Sequence, residues 1–141
     1  MTPYLDASVM VPVFVKETSA MAVCGWLADL PDGAVISDFA AGEFASAISR
    51  RVRMAEFEAG FGQELLVSFD RWCAVVGTLV QIMPDDIAAA AVLVRRFELK
   101  LRLPDAIHLA ACQRRGLTLA TLDSGLADAA RALGVAHICP V

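Results

Sequence analysis

Four carboxylates in this chain stand where chemistry would need them. Asp6 closes the apolar run "TPYLD", Glu43 lies inside "FAAGEFASAI", Asp105 follows Pro104 in "LRLPDAIHLAACQRRG", and Asp123 ends "LTLATLD". Acids brought to one point repel, and some must take up protons unless a cation neutralises them. A hard divalent ion resolves that conflict: Mg²⁺ and Mn²⁺ take oxygen ligands, and Mg²⁺ usually keeps several waters while using one or two carboxylates and a substrate phosphate. Such an ion activates water and stabilises charge on phosphoryl oxygens. If the four acids meet, the chemistry they imply is phosphodiester hydrolysis.

Each acid also has a plainer use. Asp105 alone is a favourable first-turn acid, and Asp123 before Ser124 alone is a helix cap. Glu43 is harder to explain that way, because apolar and small residues surround it and a buried Glu needs a partner. Asp38 reads as a cap, Asp85 and Asp86 flank a helix start, and Glu56, Glu58 and Glu64 read as a solvated face, so none of these joins the candidate site. His108, one turn after Asp105 on the same side of a helix, reads as a core histidine held by a hydrogen bond. A ligand role for it is second to that, since hard cations favour oxygen. His137, in the terminal apolar segment, carries no site signal.

The elements that must carry the acids emerge from local pattern. "TPYLD", "AVIS", "TLVQIM", "LTLATLD" and "VAHICPV" read as short, continuously apolar strands, the first ending at Asp6 with Ser8 capping the next segment. Between them, helices are expected over "SAMAVCGWLADL" after a Thr18 cap, from about Phe39 to "RRVRM" behind a Ser37 or Asp38 cap, and over "EFEAGFGQELLVSFDRWCAVV" after a break near Ala55. Further helices are expected over "DIAAAAVLVRRF", from Pro104 to a stop at Gly116, and over "SGLADAARALG". Alternating strands and helices mean a mostly parallel sheet of four to five strands covered on both faces. In such sheets ligands gather beyond the carboxyl ends of the strands, where Asp6 and Asp123 fall. No linker or repeat divides residues 1–141, which reads as one domain.

Composition narrows the function. A net charge of −4 argues against sequence-independent coating of nucleic acid, which needs many phosphate-neutralising cations. It leaves room for a local basic groove: ten of the twelve basic residues are Arg, gathered in "RRVR", "RRFELKLR" and Arg114–Arg115, and Arg suits bidentate contact with phosphate or carboxylate. No apolar stretch approaches the roughly 18 uncharged residues of a membrane span, and the first residues lack the pattern of a secretory signal, so a cytoplasmic location is expected. Cys24, Cys73, Cys112 and Cys139 form no C-x-x-C pair and read as small packing residues.

The order and spacing of "YLDASV", "ISDFAAGEFASAISRR", "LRLPDAIHLAACQRRG" and "LTLATLDSGLADAARALG" resemble the PIN domain family, and within it the VapC-type ribonuclease toxins. The resemblance spans nearly the whole chain. It implies a three-layer α/β/α sandwich, a Mg²⁺ or Mn²⁺ site, and endonucleolytic cleavage of RNA. Asp6, Glu43, Asp105 and Asp123 match the family's four acids in order. Ser8 and Thr121 occupy its small polar positions, where each could hydrogen-bond a carboxylate or a metal-bound water. The resemblance further implies a type II toxin–antitoxin pair, with a cognate antitoxin protein as partner and a homodimer as the assembly. The acidic balance departs from what an RNA-cutting protein suggests, and Arg50, Arg51 and Arg102 are the expected RNA contacts. Two other readings stand beside this one. The first is a non-catalytic module that binds RNA or protein. The second, a phosphatase or phosphoacceptor built on Asp6, is disfavoured because "LDASV" lacks a second Asp in a D-x-D pattern.

Overall fold

The computed structural model describes residues 2–141. Strands β1 (Pro3–Leu5), β2 (Ala34–Ser37), β3 (Gly77–Val80), β4 (Thr118–Ala120) and β5 (His137–Ile138) form one parallel sheet in the order β3-β2-β1-β4-β5. Helices α1 (Ala7–Phe14), α2 (Ala20–Ala28), α3 (Asp38–Arg53), α4 (Ala59–Val76), α5 (Pro84–Val94), α6 (Leu103–Arg115) and α7 (Ser124–Leu133) connect them, with a 3₁₀ turn at Phe97–Leu99. Tyr4 sits opposite Val35 and Leu119 in the sheet, and Leu5 opposite Ile36 and Ala120.

This is the expected three-layer α/β/α sandwich, and its two cores show why the strands are apolar throughout. Successive side chains of a strand point to opposite faces. Leu5, Ile36 and Ala120 join Val9, Phe44 and Phe69 in the core beneath α1 to α4, while Tyr4, Val35 and Leu119 join Ala106–Cys112 and Leu126 in the core beneath α5 to α7. In the central strands β1 and β2, buried on both faces, no alternation of polar residues survives, while the edge strand β3 leaves Thr78 and Leu79 exposed. Phe44 and Phe69 stack at 3.9 Å, and Phe14 meets both edge-on.

Strand order fixes where a ligand belongs. From β1 the chain steps outward to β2 and β3, then crosses back to β4 and steps the other way to β5. The reversal falls between β1 and β4, whose carboxyl ends open a crevice.

Element boundaries correct the sequence expectations in physically simple ways. β1 stops at Leu5, because Asp6 turns the chain and caps α1 itself, its carboxylate accepting from the Val9 amide. Ser8, expected as that cap, lies inside the helix and donates to Asp6 instead. β4 likewise stops at Ala120, and Asp123 caps α7. The strand expected over "TLVQIM" is β3 at Gly77–Val80, the helix expected from Asp86 opens earlier at Pro84, and Leu103 precedes Pro104 in α6. Thr18 does not cap α2, whose N-terminal flank is Ser19 without a side-chain cap bond. The break near Ala55 is present, with Ala55 at φ +59°, and Gly116 and Gly134 end their helices in the left-handed conformation that glycine tolerates. No helix among the described residues is long and apolar enough to cross a membrane. The four cysteines are free, and only Cys112 is fully buried; Cys24 and Cys139 are exposed rather than packed.

Candidate metal centre

Asp6 enters the crevice from the end of the central strand and is 5% exposed. Ser8 Oγ donates to its Oδ1 at 2.5 Å and Thr121 Oγ1 to its Oδ2 at 2.5 Å. Thr121 belongs to the segment after β4, so this bond stitches the two lips of the crevice together. The stitch continues: the Asp123 amide donates to Thr121 Oγ1 at 3.0 Å, and the Leu122 amide to Ser8 Oγ at 2.9 Å. Asp123 is exposed, with one carboxylate oxygen accepting from the Leu126 amide at 3.1 Å.

Glu43 comes from the second turn of α3, which Ser37 starts by accepting from the Ala40 amide. The expectation of a buried Glu needing a partner is met in half: the Glu43 side chain keeps 31% exposure, and its partner is His108 Nε2 at 2.5 Å. His108, buried in the core as expected, makes its other ring nitrogen's bond to the Tyr4 hydroxyl at 2.7 Å, and Tyr4 bonds Ser37 Oγ at 2.8 Å. A line of hydrogen bonds thus runs from the N-terminus of α3 through β1 and α6 back to Glu43. Asp105, one turn before His108, is 20% exposed and lies 3.6 Å from the guanidinium of Arg102, itself 81% exposed.

Electrostatics single out Asp6. Burial raises its carboxyl pKa above the ordinary range, against the hydrogen bonds from Ser8 and Thr121, the charge of His108 and the Val9 amide, which all lower it. Among the described residues no Lys or Arg forms an ion pair with it. Tyr4 is also pushed up, first by burial and then in part by the charges of Glu43 and Asp6. The hydroxyl therefore stays protonated.

Asp6 and Asp123 follow the carboxyl ends of β1 and β4, Glu43 lies in the second turn of the helix after β2, and Asp105 in the first turn of α6. Asp6 and Asp123 are joined through Thr121, and Glu43 reaches the helix of Asp105 through His108. The described residues nonetheless contain no group of three or more His, Cys, Asp and Glu that could hold a metal ion. The donors fit Mg²⁺ or Mn²⁺ in kind, being carboxylate oxygens, the buried Asp6 among them with no basic partner. They fit an ion that completes its shell with water and substrate phosphate rather than a protein cage.

Of the expected RNA contacts, Arg102 lies beside Asp105. Arg50 and Arg51 lie seven and eight residues beyond Glu43 along α3, about 10–12 Å down its axis. Arg51 is already engaged by Glu17 at 2.8 Å and lies over the Phe57 ring. Tyr4 and Ser37 are the residues that sequence reading missed as part of the site. The signal for Tyr4 was present, since a buried tyrosine hydroxyl almost always finds a polar partner.

Comparison with known proteins agrees with this architecture. The family described as PIN domain matches residues 4–132. No curated protein matches the sequence. VapC20 of Mycobacterium tuberculosis, described as a sarcin-ricin loop cleaving toxin, aligns with a TM-score of 0.75 at 18% identity, covering 91% of this chain and 95% of that one. FitAcB of Neisseria gonorrhoeae gives 0.71 at 19% identity over 99% and 98%. A toxin–antitoxin complex from Klebsiella pneumoniae gives 0.69 at 21% identity over 99% and 98%.

Proposed function

The chain belongs to the PIN domain family, and on that premise we propose that it is a Mg²⁺- or Mn²⁺-dependent endoribonuclease, the toxin of a type II toxin–antitoxin pair acting on cytoplasmic RNA. The observation that carries this reading is Asp6: a carboxylate 5% exposed, at the point where strand order reverses, with its pKa raised by burial and no basic side chain paired to it.

Asp6, Glu43, Asp105 and Asp123 would hold the ion, which when bound supplies an activated water and neutralises charge on the phosphoryl oxygens. Ser8 and Thr121 fix both oxygens of Asp6, so the carboxylate needs no reorganisation when substrate arrives. Tyr4 and His108 hold Glu43 at the rim in the same way. Likeness to a toxin–antitoxin complex supports an antitoxin as the partner that blocks this edge, and a homodimer is the assembly we propose.

Purified chain freed of any inhibitor should cut RNA only with Mg²⁺ or Mn²⁺ present, and Asp6→Asn should stop cutting without unfolding the protein. Cutting retained in that variant overturns the assignment. A second reading, a non-catalytic module that binds RNA or protein, is favoured by the absence of a ready-made group of metal donors among the described residues. It requires calorimetry to find no uptake of Mn²⁺ at near-physiological concentration.

A further inference from the structure

The segment Arg95–Arg102 between α5 and α6 carries four basic side chains against one acid, Glu98, in a chain whose net charge is −4. Arg95, Arg96, Lys100 and Arg102 are all exposed. Among them Phe97 is 86% exposed. An aromatic ring this bare is not held outward by a floppy loop. Leu99, two residues on, is 7% exposed and pins the 3₁₀ turn against α5 and α7, while Lys100 takes a left-handed conformation at φ +55°. A non-glycine residue persists there only where its surroundings over-determine it.

The turn's position matters as much as its composition. On one side it leads directly into α6, where Arg102 lies 3.6 Å from Asp105. On the other, Glu98, Leu99 and Lys100 share a hollow with Gly125, Asp128, Ala129 and Ala132, along the side of the helix that Asp123 caps. The segment therefore runs from the side of the helix that Asp123 caps to the N-terminus of the helix that carries Asp105.

We propose that Arg95–Arg102 is the platform for the single-stranded RNA substrate, Phe97 stacking on a base next to the scissile phosphate while Arg95, Arg96, Lys100 and Arg102 contact the flanking phosphates. This rests on the ribonuclease reading above. Stacking on an aromatic ring accepts any base, and the strand's charge favours a basic groove. The Arg96–Glu98 pair does not oppose this, since both side chains are more than half exposed and such pairs are weak. Charge complementarity likewise favours RNA over a protein partner, which would gain little from four cations spread around one ring.

The test uses the whole chain and a fluorescein-labelled single-stranded oligouridylate of about 12 nucleotides, bound in EDTA so that nothing is cut. Phe97→Ala should weaken binding roughly 5- to 150-fold, Phe97→Trp should restore it, and Arg95→Ala or Lys100→Ala should each make the salt dependence shallower by about 0.7 in log–log slope. With Mn²⁺ restored, Phe97→Ala should raise KM and leave kcat unchanged. Equal affinity of wild type and Phe97→Ala, or wild type that binds no oligonucleotide, overturns the platform; so does a Phe97→Ala effect on self-association alone. Wild type that binds through Phe97 yet never cuts with any divalent ion overturns the ribonuclease reading and leaves the platform standing.

Discussion

Asp6 and Asp86 are withdrawn from water to nearly the same degree, 5% and 0% exposed, yet the protein treats their charges in opposite ways. Asp86, in the first turn of α5, receives Arg114 Nε at 2.7 Å and Arg115 at 3.1 Å, and its other contact is the Met83 amide at 2.8 Å. Burial pulls its carboxyl up, but Arg115, the Met83 amide and Arg114 outweigh that and hold it below the ordinary range. Asp6 receives two hydroxyls and one amide, and burial wins. One acid is paired with two guanidiniums and the other has no basic partner among the described residues. Asp86 ties the start of α5 to the end of α6. Asp6 keeps a raised pKa at the end of the central strand with no cation beside it, the arrangement that the proposed metal site requires.

The sharpest break of this contrast is charge removal at each acid. Asp6→Asn should lower RNA cleavage by about 10³-fold, if the ion it holds supplies several kcal/mol of transition-state stabilisation. Its urea midpoint without divalent ions should move little, since a buried charge is lost along with its hydrogen bonds. Asp86→Asn should do the reverse, costing about 3 kcal/mol of stability while the folded fraction keeps its specific activity. The lower end of the range for a broken buried pair applies because Arg114, 40% exposed, can turn to water. Comparable activity losses in both variants, corrected for folded fraction, would erase the distinction.

The sequence separated the two acids by position, Asp6 at a strand's carboxyl end and Asp86 beside a helix start, but not the neighbours that set their charges apart. In the structure both stand at a helix start, Asp6 as the cap of α1 and Asp86 in the first turn of α5, so their local roles alone do not tell them apart. What separates them is 28 and 29 residues away in Arg114 and Arg115 for Asp86, and 115 residues away in Thr121 for Asp6. Local signals did deliver the sandwich, because a strand buried on both faces is apolar at every position, and they delivered the helix stops at Gly116 and Gly134 because left-handed backbone selects glycine. They misjudged the ends of β1 and β4, because Asp6 and Asp123 serve both as caps and as rim acids. The line from Ser37 through Tyr4 and His108 to Glu43 draws on four separate elements. Only the fold assembles it.

Proton linkage sharpens the comparison more gently. Asp6 binds its proton more tightly folded than unfolded, so its contribution to stability falls as pH rises from the ordinary value of 3.8 through its raised one. Asp86 binds its proton less tightly folded, so its contribution is lost as pH falls from 3.8 through its lowered one. Urea unfolding in EDTA between pH 3 and 6 should show both limbs, each at most about 1.4 kcal/mol per pH unit. Asp6→Asn should flatten the limb above 3.8 and Asp86→Asn the limb below it. Saturating Mn²⁺ should also flatten the Asp6 limb, since a bound cation favours the ionised form.

The smallest effect tests what kind of cation neighbour matters. Asp105 also has an arginine nearby, but Arg102 approaches only to 3.6 Å and is 81% exposed, whereas Arg115 is 19% exposed and bonds both oxygens of Asp86. An exposed, loosely placed guanidinium contributes under about 1 kcal/mol, because water screens it and holding the side chain costs entropy. Arg102→Ala should therefore shift the urea midpoint barely at all, while Arg115→Met, which strips one of two guanidiniums from a fully buried carboxylate, should lower it clearly. If Arg102→Ala proves as costly as Arg115→Met, Asp105 belongs with Asp86 among the satisfied acids, and the open edge of the sheet shrinks to Asp6, Glu43 and Asp123.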